Sequence, residues 1–322
     1  MLLQSLRIDK SKTPLLILFG FILLTTAALY KVNGFFISDY DLSNKILYPG
    51  KYAGYFYTLI SLGMIYGLGV MLHRLSKDHF LLIKNYYLTP WFFIWIAAAW
   101  YSCFQISVSP LLLILLSYTL FRLLELFNAR KAQQFIFDAS FCIGLAFFLY
   151  PPIIIFYIWI LVAMLIYQSL TLKHFLLSLL ALLTPIFLLA SVQYLFNFQL
   201  FESYKLTELF QISFTGLELN YLQWPMLIFY LGLSIGSGVE VLMKISKKPI
   251  KERKSFALIN IFMLLVFLSS FFKSSNIEVQ LQISSLGACF LWANHFTHAK
   301  KLRLSNILLS IWWICLILFM LS

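Results

Sequence analysis

Ionisable side chains inside long apolar runs are costly to bury, so the places where this sequence keeps them are its first candidates for chemistry. Arg122, Glu125 and Asp138 form the leading group. Arg122 and Glu125 are three residues apart, which puts them on one helical face. Arg122 lies seven residues before Ala129, and Asp138 seven residues after Lys131. Two helices meeting in a turn at 129–131 would carry both at similar depth, on the order of 10 Å from the turn by helical rise. Such a cluster either locks a hairpin, as polar contacts between membrane helices do, or holds a charged headgroup or a proton. Glu240 is the second candidate, with Lys244 four residues later on the same face to neutralise it.

Asp39 and Asp41 form a separate acidic pair in a polar stretch. A carboxylate there could take a proton from an acceptor hydroxyl or hold a metal near a phosphate, the catalytic chemistry of membrane enzymes that use lipid-linked sugars. The five histidines are His73, His79, His174, His295 and His298. His295 and His298 share a face, but a catalytic metal needs a third protein ligand and the sequence names none, so no metal site is expected. No cofactor motif is present either: the P-loop and HExxH patterns are absent.

The elements that must position these residues are membrane helices. The chain is 61% hydrophobic and only 11% charged over 322 residues, against roughly 45–50% and about 25% in soluble domains. Runs of about 20 apolar residues suffice to cross the hydrocarbon core. Eleven are expected, at 14–32, 53–72, 86–105, 109–128, 133–150, 152–170, 174–196, 223–243, 256–273, 279–298 and 304–321. Pro90 makes the third the least regular, and Pro151-Pro152 splits the fifth from the sixth in a tight hairpin. The first run reads as an uncleaved helix rather than a signal peptide. The expectation is therefore an all-α, polytopic bundle forming a single membrane domain over 1–322.

Charge sets the orientation. With the N-terminus inside, 19 of the 24 Lys and Arg fall on the inner side, and the five outside are all lysines. That asymmetry predicts an N-in, C-out topology, with a cytoplasmic tail at 1–13 and a basic inner loop at 244–255. It also accounts for the net charge of +12 without nucleic acid. The outer loops are 33–52, carrying Asp39 and Asp41, and 197–222, whose apolar periodicity around Phe201, Tyr204, Leu209 and Phe210 suggests a short surface helix. Cys103, Cys142, Cys289 and Cys315 sit singly in apolar runs and read as packing residues. Gly63 with Gly67, and Gly232 with Gly236, read as faces for close helix packing.

From Arg122 onward the chain resembles an uncharacterised family of polytopic inner-membrane proteins of Gram-negative bacteria. The resemblance rests on Arg122, Asp138-Ala139, Phe141, Ile143, Gly144, Tyr150, Pro152 and Pro185. It implies a multi-pass protein of the inner membrane with no assigned activity. The family's basic-acidic-aromatic cluster before the seventh span is matched here by Lys173-His174-Phe175, which lacks the acid. Some members carry a carotene-cleaving oxygenase label. Enzymes of that kind are similar in having iron-binding histidines within their helices, whereas these histidines fall at the inner edge, so the label is not carried over.

The expected function is a role in synthesis or translocation of envelope glycans or lipid-linked intermediates. Asp39 or Asp41 would be the outer carboxylate, and Arg122 the contact for an anionic or polyprenyl-linked headgroup. The alternatives are a proton-coupled secondary transporter using Asp138 or Glu240, and a non-catalytic subunit assembled with other membrane proteins. Enzymatic activity is left open.

Overall fold

The computed structural model describes residues 51–79, 87–99, 108–128, 132–196, 223–272, 277–299 and 302–321. Asp39, Asp41, the first expected span and the 197–222 loop lie outside the described residues. Those described are helical: α1 Lys51–Asp78, α2 Leu88–Ala99, α3 Val108–Glu125, α4 Ala132–Leu149, α5 Tyr157–Ile166, α6 Leu172–Phe196, α7 Gln223–Lys244, α8 Ile250–Ser269, α9 Ile277–His298 and α10 Leu302–Leu321. Three helical stretches, Ala132–Leu149, Leu172–Val192 and Trp224–Lys247, the last running past α7 into a 3-10 turn at Ile245–Lys247, are long and apolar enough to cross a membrane.

Helix ends differ from the apolar runs for physical reasons. α1 continues past residue 72 to Asp78, and α8 starts at Ile250 rather than 256. Hydropathy marks where lipid would lie, whereas charged residues that form good helices extend the element beyond it. α2 is only twelve residues long, about 18 Å. Pro90 stands in its first turn, where a missing N–H costs nothing. The expected helix at 152–170 is in two parts: a 3-10 segment, Pro151–Phe156, precedes α5. Tyr150 is extended before it, and Ile153 N–H donates to Tyr150 O at 3.1 Å.

Contacts divide the chain into two compact units. The first comprises Met1–Pro110, Leu217–Pro249 and Ser284–Ser322; the second comprises Leu111–Gly216 and Ile250–Ile283. In the second unit α4 packs on α6 at a glycine. A Cβ on residue 144 would stand 2.6 Å from Leu182 O and 3.0 Å from Pro185 Cγ. Trp159 of α5 donates to Leu258 O of α8 at 3.0 Å and packs on Phe262. At one end of this unit Gln280 joins Tyr150 Oη and Ser269 Oγ, at 3.1 and 2.8 Å. At the other, Lys254 lies over the rings of Phe127 and Tyr167.

The link from α5 to α6 is a Schellman turn. Gln168 has φ 57°, Ser169 N–H donates to Met164 O, and Gln168 N–H donates to Leu165 O. Thr171 then caps α6: its Oγ1 accepts from His174 N–H, while His174 Nδ1 meets Ser169 O at 2.6 Å. The Lys173-His174-Phe175 stretch thus builds a helix start. α6 exposes apolar side chains over most of its circumference, Leu172, Leu180, Phe187 and Leu195 among them. A surface of that kind is suited to lipid rather than water.

In the first unit aromatic residues of α2, α7, α9 and α10 interlock. Phe92 stacks on Phe296, and Trp292 meets Phe92, Tyr230 and Trp312. Two polar pairs lie in this core, Tyr230 Oη with Ser284 Oγ at 2.6 Å and Trp292 Nε1 donating to Ser234 Oγ at 3.2 Å, whereas the buried Trp312 Nε1 has no partner among the described residues. Gly63, Gly67, Gly232 and Gly236 are not close-packing points among the described residues, since nothing there lies within 4 Å of an added Cβ.

Candidate functional site

Two charged clusters form among these helices, one in each unit. In the second unit, α3 ends at Glu125 and one 3-10 turn, Leu126–Asn128, precedes the start of α4 at Ala132. This hairpin brings Arg122 and Asp138 together: Nε lies 3.2 Å from Asp138 Oδ2. Nη1 donates to Glu125 Oε2 at 2.9 Å. Tyr118 Oη accepts from both Nε and Nη2, at 2.8 and 2.6 Å. The guanidinium also lies near the rings of Tyr118, Phe121 and Phe135, 4.9, 5.9 and 5.5 Å from their centroids.

The electrostatics of this cluster follow from its composition. One guanidinium faces two carboxylates, which leaves a formal charge of −1. Arg122, Glu125 and Asp138 side chains are 21%, 27% and 25% exposed, so water and solutes reach them while most of each is shielded. Arg122 already spends three of its five N–H donors on Tyr118 and Glu125. A site of this charge favours a proton or cation over an anion.

The first unit holds the other cluster. Glu240, near the end of α7, binds Lys244 Nζ through Oε1 and His295 Nδ1 through Oε2. Lys244 is the neighbour its spacing predicts. His295 belongs to α9 and is invisible to any argument confined to one helix. Its Nε2 is buried and has no hydrogen-bond partner among the described residues. Beside it, Lys248 Nζ donates to Asn294 Oδ1 at 2.7 Å, and His298 Nδ1 meets Asn294 O at 3.0 Å.

No group of three or more metal-ligand side chains occurs among the described residues. His295 and His298 turn to different partners despite their shared face. Sequence reasoning also missed Tyr118, although its place four residues before Arg122 on the same helix was a readable signal. Another residue it missed is Glu252, a buried carboxylate in the first turn of α8.

Comparison with known proteins adds a family and no activity. Residues 51–322 match a family of unknown function, DUF6427. No curated protein and no solved structure matches the chain.

Proposed function

We propose a function from the chain's own sequence and geometry, because the chain belongs to a family of unknown function, DUF6427. The reading is a multi-pass bacterial inner-membrane protein of eleven spans, N-in and C-out, that acts as a proton-coupled secondary transporter. The observation that carries it is the Arg122–Glu125–Asp138 cluster in a hairpin of apolar helices. Ionisable residues in such helices mark ion and proton paths, and a cluster with one more carboxylate than cation suits a positively charged passenger. Asp138 is the proton-carrying carboxylate, and Arg122 holds it in place. Loading and unloading a proton changes the hold of α4 on α3, which gives the charge a conformational consequence.

The lipid-linked reading draws less support. It needs Arg122 as an anion contact, and two carboxylates already oppose an anion there. Its catalytic pair, Asp39 and Asp41, lies outside the described residues. The transport reading is tested by reconstituting the full chain in liposomes holding a pH-sensitive dye. Solute classes are then offered in turn, to wild type and to Asp138→Asn.

A further inference from the structure

We infer that the exposed face of α7 is a docking surface for an anionic phospholipid, its acyl chain lying along the helix and its phosphate held at the lysine end. Ile228, Leu231, Ile235, Val239 and Leu242 are exposed and follow one another at three and four residues, so they share one helical face. Met243, 78% exposed, continues the strip. From Ile228 to Met243 it is about 22 Å long by helical rise. That exceeds the roughly 15 Å of hydrocarbon in one leaflet. Gly232 and Gly236 lie in the same strip with no described atom within 4 Å of an added Cβ, so its middle is low and uncovered.

Charge complementarity selects the occupant. Ser246 and Lys247 are exposed where the strip ends, and Lys244 beside them is 46% exposed. Residues 244–249 hold three lysines and no acid. Glu240, one turn deeper, is already bound by Lys244 and His295. A phospholipid presents an apolar chain and then a phosphate in the same order as this face. The rival occupant is a second copy, since small residues let helices approach closely. A two-fold pair through α7, both copies inserted the same way round, would set Lys244, Lys247 and Lys248 against the same lysines of the other copy. Like charges oppose that pair, whereas a phosphate neutralises them. The inference rests on α7 crossing the membrane with its lysine end inside, and not on proton coupling.

The test places a fluorophore at Ile235→Cys, in the full chain with the four native cysteines replaced, reconstituted in phosphatidylcholine vesicles. Part of the lipid is then exchanged for phosphatidylglycerol or phosphatidylcholine with brominated acyl chains, which quench on contact. Phosphatidylglycerol is expected to quench at a mole fraction about fivefold lower, the factor one lysine supplies near a headgroup. Lys247→Gln is expected to remove about that factor. Lys173→Gln, on an exposed lysine of the other unit, is expected to leave it unchanged. Equal quenching by the two lipids, or a preference untouched by Lys247→Gln, overturns the proposal. A preference abolished by inorganic phosphate at constant ionic strength overturns it as well, by making the site one for free phosphate. Absence of quenching by either lipid also overturns it, and a disulfide between two copies at position 235 would then assign the face to a second copy. If the anionic lipid is preferred while no solute moves protons, only the transport reading falls; if the preference is absent while Asp138→Asn still abolishes proton movement, only this proposal falls.

Discussion

Arg122 Nε stands 3.2 Å from Asp138 Oδ2 across the α3–α4 hairpin, while Nη1 of the same guanidinium holds Glu125. One cation therefore keeps two carboxylates in one place. Arg122→Gln leaves them facing each other and is expected to destabilise the chain by about 2 kcal/mol, less than for a fully buried pair because all three groups are partly exposed. Thermal unfolding in detergent measures it. Adding Glu125→Gln and Asp138→Asn to Arg122→Gln is expected to recover most of the loss. A loss that persists in the triple variant would assign the stability to the packing of Arg122 on its aromatic neighbours instead.

At Gly144, α4 lies close against α6. A methyl there has to displace Leu182 O or the ring of Pro185. Gly144→Ala is expected to cost about 1–3 kcal/mol as overpacking. Gly232→Ala serves as the control, since nothing described lies within 4 Å; it gains helix propensity of up to about 1 kcal/mol. Equal midpoints for the two variants would refute this assignment of the close contact.

Gln168 occupies the left-handed position of the turn between α5 and α6. A side chain there costs about 1–2 kcal/mol that glycine does not incur. Gln168→Gly is therefore expected to raise the thermal midpoint, and Gln168→Val to lower it. The reverse order would contradict the turn geometry.

The inner placement of the basic α7–α8 turn is checked by labelling. With the four native cysteines replaced, Ser246→Cys is expected to react with a membrane-impermeant maleimide in inverted vesicles and not in intact spheroplasts. Labelling from the outside would invert the proposed topology.

Much of the helical layout was legible because apolar runs this long have few other uses, and the α3–α4 cluster was legible because its members sit symmetrically about one short turn. Arg122 with Asp138, and Glu240 with Lys244, follow from helical rise and the four-residue neighbour. His295 with Glu240 does not, because the two are 55 residues apart and meet only through the packing of α7 on α9. Spacing rules reach along one helix or across one hairpin and no further. Glycine shows the same limit: small residues four apart at 232 and 236 looked like a packing face, but among the described residues the close approach occurs at Gly144, opposite a proline whose location in space the sequence does not reveal. The two-part segment before α5 was similarly hidden, since hydropathy is blind to the difference between 3-10 and α-helix.

Proton movement in liposomes tests the central claim most directly. Full-length wild type and Asp138→Asn are reconstituted with an internal pH-sensitive dye, then offered amino acids, amines, carboxylates, sugars and nucleosides one class at a time. The transport account predicts that one class drives proton movement through the wild type and that Asp138→Asn abolishes it while still folding and inserting. Proton movement that survives Asp138→Asn, or a wild type that moves no protons with any class, would contradict it.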